Sequence, residues 1–135
     1  MRVEKILLTI TEVGMILYWL FATLVLFEII NVSPEIMYSN YQDETMVAWN
    51  WSFLPLDIIF AITGLSARFL NISNTRRSIL SIFSLALMFC AGLFALSFWV
   101  IESSFDPLWW GINLWLLLLS IFVLYGKYFG AREKV

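Results

Sequence analysis

The sequence contains no histidine. That removes the side chain that ordinarily titrates near neutral pH, and the commonest zinc ligand with it. There is a single cysteine, Cys90, so no disulfide closes within the chain and no Cys-x-x-Cys pair offers thiol redox chemistry. Nothing in these residues calls for a cofactor or a metal. Charge is scarce as well: 13% of the residues are Asp, Glu, Lys or Arg, against about 25% in a typical soluble domain. A net charge of −2 argues by itself neither for nor against nucleic acid; the clustering of basic residues described below has a simpler cause, and no nucleic-acid partner is expected. The N-terminal apolar run is too long for a cleavable signal peptide, and no small-residue cleavage site closes it.

What fills the chain instead is apolar. Of 135 residues, 61% are hydrophobic, and mean hydropathy is +0.87. A soluble fold of this size keeps too much of its surface exposed to bury that excess, so lipid is the expected surrounding. The apolar residues fall into four spans, at about 6–30, 45–70, 79–101 and 107–126, with a polar outer loop at 31–44. Each is near the roughly 20 residues that a helix needs to cross about 30 Å of hydrocarbon. The runs are continuous and lack the alternation of barrel strands. The expected fold is all-α: a single domain over 1–135, an antiparallel up-down bundle of four transmembrane helices with short connections.

Local signals place some boundaries. Asp106-Pro107 suits the start of the fourth helix, with Asp as N-cap and Pro in the first turn. Asn74 or Thr75 could cap the third. The second has two possible starts. It begins either at Ser52, with Pro55 harmless in the first turn, or near Glu44, with Pro55 kinking it and depriving the Trp51 carbonyl of its partner. The longer form is preferred because the stretch from Thr45 to Trp51 is mostly apolar.

All eight basic residues lie on one side of this topology: Arg2 and Lys5, then Arg68, Arg76 and Arg77, then Lys127, Arg132 and Lys134. The other two loops hold only acidic charges. The positive-inside rule therefore puts both termini in the cytoplasm. Trp49, Trp51, Trp99, Trp109 and Trp110 fall at the opposite boundary, and Tyr125 and Tyr128 at the basic one, as interfacial belts do.

Polar groups inside the spans are the candidates for function. A carboxylate at Asp57, near the middle of the second span, is costly in hydrocarbon and is expected to face the bundle interior or a water-filled cavity. Its helical face carries Ala61, Gly64 and Arg68. It could serve as a ligand counter-ion, as a proton acceptor, or as a structural hydrogen-bonding group to another helix, with Asn113 of the fourth span at similar depth as the expected neighbour. Glu12 lies two turns into the first span with Lys5 on the same face, and about 10 Å nearer the basic side than Asp57. Its alternatives are a station on a proton or cation route and a structural hydrogen bond. Asn50, Trp51 and Glu28 complete the candidate ligand-binding set; Glu28 could equally be solvated at the outer end of the first helix. Ser81, Ser84, Ala91 and Ala95 read as a packing stripe, and Cys90 as an inert buried thiol.

These residues leave several functions open. One is binding or transport of a lipid-like or hydrophobic cationic molecule through an intramembrane carboxylate. Another is a non-catalytic subunit or scaffold, whose partners would be membrane lipids, a second copy or another membrane protein. A third is a membrane-lipid enzyme resembling four-helix sterol isomerases, with Asp57 and Glu12 as proton carriers. Thr11-Glu12-Val13-Gly14 also looks like part of the small multidrug exporters, but the long outer loop, scarce glycine and strong charge bias depart from that pattern.

The string Val47-Ala48-Trp49-Asn50-Trp51-Ser52-Phe53-Leu54-Pro55-Leu56-Asp57, continuing to Thr63-Gly64-Leu65-Ser66, resembles the YvaD-like family of small four-helix membrane proteins from Bacillus and its relatives. Thr11-Glu12-Val13-Gly14 and Tyr18-Trp19 are similar too. The likeness spans essentially the whole chain. It implies a multi-pass protein of the bacterial plasma membrane. It brings no established activity and so gives Asp57 no catalytic role.

Overall fold

The computed structural model describes residues 3–33, 36 and 42–129. Arg2, Arg132, Lys134 and much of the 31–44 loop lie outside them. The described residues form helices α1 (Val3–Leu26), α2 (Glu44–Trp51), α3 (Leu54–Phe69), α4 (Asn74–Ile101) and α5 (Pro107–Leu124), followed by a π-helical turn at Tyr125–Phe129. There is no strand among them. With α2 and α3 taken as one broken rod, Glu44–Phe69, four helices are long and apolar enough to cross a membrane.

The helix ends follow from local chemistry. Asp43 caps α2 by accepting from the Met46 N–H at 2.9 Å. Asp106 caps α5, accepting from the Leu108 and Trp109 amides at 3.1 and 3.2 Å, with Pro107 behind it. The cap of α4 is Ser73 rather than Asn74 or Thr75; its hydroxyl accepts from the Arg76 N–H at 3.4 Å, so Asn74 is already helical.

The first span stops short of Ile30, because α1 closes at Leu26. Glu28 turns left-handed (φ 56°), the Glu28 N–H reaches the Val25 carbonyl and the Ile29 N–H reaches that of Leu24, each at 3.0 Å. This is a Schellman closure. The same closure ends α4: Ser103 is left-handed (φ 55°), and the Ser103 and Ser104 amides donate to Val100 and Trp99 at 3.1 Å. Neither closure uses the glycine that such positions usually carry, which is why composition did not mark the first of them.

The second span starts at Glu44, the longer of the two readings, but it breaks rather than bends. Pro55 has no N–H to return to Trp51. The ladder tightens just before it, with the Phe53 N–H on the Asn50 carbonyl at 3.1 Å, and the Ser52 hydroxyl donates to the Trp49 carbonyl at 2.6 Å. Pro55 then sits in the first turn of α3, which resumes with the Asp57 N–H on Phe53 at 2.9 Å.

Side-chain contacts give the topology. Thr9 meets Arg68 and Trp19 meets Asp57, so α1 and α3 run antiparallel. Lys127, just past α5, meets Ser81 near the start of α4, so those two are antiparallel as well. Between α3 and α4 the Ser84 hydroxyl donates to the Phe60 carbonyl at 2.7 Å. The bundle closes loosely between α1 and α5, where the Trp115 indole N–H donates to the Thr11 hydroxyl at 2.9 Å. Gly92 lets α5 lie close to α4: a Cβ there would come within 2.6 Å of the Asn113 carbonyl and 2.8 Å of the Leu117 nitrogen.

The interior holds Phe60, Leu85, Met88, Ala91, Leu116 and Leu119. It also buries Glu12, Asp57, Ser84 and Ser120, while Leu17, Ile62, Phe94 and Phe122 stand exposed outside. Apolar surface on this scale, wrapped around a polar interior, requires an apolar surrounding or partners. Lys5, Arg68, Arg77 and Lys127 gather at one end of the bundle. Trp49, Trp99, Trp109 and Trp110 gather at the other, around Met46.

Candidate functional site

The site is built where the break before α3 meets the middle of α1. Asp57, in the first turn of α3, is 6% exposed. Its Oδ2 accepts from the Trp19 indole N–H at 2.9 Å, while its Oδ1 has no hydrogen-bond partner. A charged or polar group taken out of water is costly unless fully bonded. The Asp57 Oδ1 shares this state with the Glu12 Oε1, but among the described residues Glu12 has an ion-pair partner and Asp57 has none.

A shell of rings encloses it. Trp19 packs edge-on to Tyr18 at 5.0 Å between centroids and lies 5.3 Å from Trp51. Tyr18 in turn meets Trp109 at 5.6 Å. Trp49 stacks on Phe98 at 4.0 Å and meets Trp99 edge-on at 5.5 Å. The expected tryptophan belt is therefore partly an interior cluster: Trp19 and Trp99 are buried, and Trp49, Trp51, Trp109 and Trp110 are half-buried. Asp57, Asn50 and Asn113 share one cavity of about 40 Å³ with Tyr18, Trp19 and Trp49. That is room for about one water molecule or one ammonium group.

Nearer the basic end a second acidic group is buried. Glu12 of α1 forms an ion pair with Arg68 of α3, and the two are 1% and 12% exposed. Arg68 is held further by its Nε–H, which donates to the Thr9 hydroxyl at 3.2 Å. Gly64 makes the space: a Cβ there would overlap the Glu12 carboxylate and come within 2.6 Å of the Ser84 hydroxyl. Glu12 and Trp19 are seven residues apart, about 10 Å along the helix axis. The two carboxylates thus lie apart in the bundle and do not form a dyad.

The candidates from sequence divide accordingly. Asp57, Asn50 and Asn113 meet at one cavity, and Trp51 packs against its Trp19 wall. Asn113 does not supply the hydrogen bond expected for Asp57; its amide donates to the Trp109 carbonyl of its own helix at 2.8 Å. Asn50 points its amide at the Tyr18 hydroxyl, at 3.5 Å. Glu28 is exposed beyond the end of α1, away from the cavity. Glu12 takes Arg68 as its partner. Two residues that matter here, Trp19 and Arg68, were outside the candidate set. The signal for them was helical spacing. Glu12 and Trp19 are two turns apart on one face of α1; Asp57 and Arg68 are three turns apart on one face of α3. Laid antiparallel, the two faces pair acid with partner twice. Among the described residues no group of three or more acidic or thiol side chains converges as a metal site would need.

Chemically, the upper carboxylate can receive one further donor inside an aromatic shell, and the lower one is already neutralised. The family model described as a family of unknown function (DUF5360) matches residues 4–133. The uncharacterized protein YvaD of Bacillus subtilis (strain 168) is 39% identical over 127 residues, which cover 93% of this chain and 91% of that protein. No solved structure matches.

Proposed function

The chain belongs to the DUF5360 family, and we propose that it is a bacterial plasma-membrane protein that crosses the bilayer four times and holds a cationic group against Asp57. The exposed apolar flanks and the buried polar groups support the crossings. The gathering of basic residues at one end supports cytoplasmic termini and a cytoplasmic loop between α3 and α4.

One observation carries the ligand: the buried Asp57 Oδ1 lacks a hydrogen-bond partner, and Asp57 lines a cavity walled by aromatic rings. A carboxylate with ring faces around it is the combination that attracts an ammonium group, by charge and by the ring quadrupole. The cavity size limits the group to a small one, such as a protonated primary amine, with its hydrophobic remainder extending toward the tryptophan end. The test is a tryptophan-fluorescence titration of the purified protein with hexylammonium and with hexanol, which share a tail. Saturable quenching by the amine alone, weakened about tenfold or more in Asp57→Asn, is expected. Equal responses to the two probes, or in the two proteins, would remove the proposal.

The small cavity also favours a second reading, in which the Trp19–Asp57 bond only holds the bundle together within a larger assembly. Asp57→Asn would then lower stability and leave the titration unchanged. The isomerase-like reading draws less support, because Glu12 is engaged by Arg68 and stands about 10 Å from Asp57 in depth.

A further inference from the structure

At the basic end, each spanning helix sends one basic side chain to a common crevice of about 480 Å³: Lys5 from α1, Arg68 from α3, Arg77 from α4 and Lys127 from the turn after α5. Such convergence brings like charges together. Among the described residues, Arg68 is set against Glu12, and the crevice wall carries four basic side chains and one acid, Glu4. Two contacts fix the geometry. Arg68 is tied to Thr9, and the Lys127 ammonium donates to the Ser81 hydroxyl at 3.1 Å. The floor is apolar, made by Leu8, Ala67 and Val123. A cationic rim over an apolar floor matches an anion carried on a hydrophobic body.

We infer that this crevice is a binding site for the phosphate group of an anionic phospholipid. Phosphate is the shared chemistry of a lipid headgroup and the free ion, and guanidinium and ammonium groups recognise both. The apolar floor favours the lipid. The site sits where headgroups of the basic-side leaflet lie if the helices cross a bilayer, so it rests on the membrane reading above but not on the Asp57 cavity.

Arg76 and Arg77 are neighbours at the start of α4, both exposed, and of the two only Arg77 lines the crevice. That pair separates a site from general attraction of a basic surface to anionic lipid. The protein would be reconstituted in nanodiscs of phosphatidylcholine and phosphatidylglycerol, and the lipids retained on release counted by native mass spectrometry. Arg77→Ala should lower retention of phosphatidylglycerol about fivefold, and Arg76→Ala should change it little. Retention that survives added inorganic phosphate supports the lipid. Equal losses in the two variants, no preference for phosphatidylglycerol, or Arg77-dependent binding of inorganic phosphate with no lipid retained would each overturn the inference. Failure of the membrane reading would look different: the protein would not enter nanodiscs at all.

Discussion

Toward the basic end of the bundle, Glu12 lies against Arg68 across two facing helices, and the helix surface opposite is cut back to glycine at Gly64 to admit it. Toward the tryptophan end, Asp57 lines a small cavity and has one indole N–H as its only hydrogen-bond donor among the described side chains. Both groups are carboxylates, both are buried, and both lie on the contact between α1 and α3. The first has its counter-charge built in; the second has only a neutral donor. A bundle that could place an arginine against one acid could have done so for the other. The difference is what supports the proposal that Glu12 belongs to the framework and that Asp57 is the group a ligand completes.

The sharpest way to break that contrast is to unbalance the lower pair. Arg68→Ala leaves Glu12 buried without its counter-charge and should cost about 3–5 kcal/mol, read from unfolding in detergent micelles. The double variant Glu12→Gln with Arg68→Met removes both charges and should recover most of the loss. If the double variant is as unstable as the single one, packing rather than charge holds this end, and the distinction between the two acids weakens.

Gly64 gives a smaller effect with an internal control. Gly64→Ala forces a methyl group onto Glu12 and Ser84 and should cost about 1–3 kcal/mol by overpacking. Gly14→Ala meets nothing within 4 Å. It should be neutral or stabilising by up to about 1 kcal/mol, because alanine is the better helix former. Equal effects at the two glycines would mean that the tight approach of α1 to α3 is not what seats the ion pair.

The sequence made the helices legible because apolar runs of spanning length have few alternatives, and Asp106-Pro107 marks a helix start by itself. It also singled out Asp57 and Glu12, since acids are conspicuous among apolar residues. It concealed their partners for a physical reason. A tryptophan inside an apolar span reads as packing, and its single N–H shows only when an acceptor lies opposite. Arg68 sits at the end of its span, where a basic residue reads as a topology signal; its long side chain reaches back into the bundle. The early end of α1 was hidden because the left-handed closure at Glu28 uses a residue that composition does not flag. Pairing across helices depends on register, and register belongs to the packed bundle rather than to any one span.

The smallest expected effect bears on the upper carboxylate itself. Trp19→Phe keeps a ring in the wall of the cavity and removes only the N–H that meets the Asp57 Oδ2. Taken with Asp57→Ala and the double variant, it forms a cycle that isolates the one contact. Hydrogen bonds between membrane helices are modest, so a coupling of about 1 kcal/mol is expected. Coupling several times larger would make Asp57 as firmly framework as Glu12, and the two ends of the bundle would no longer differ. Coupling near 1 kcal/mol, with hexylammonium still quenching Trp19→Phe, keeps them apart and supports the proposal that the indole orients the carboxylate while the oxygen it does not touch receives the ligand.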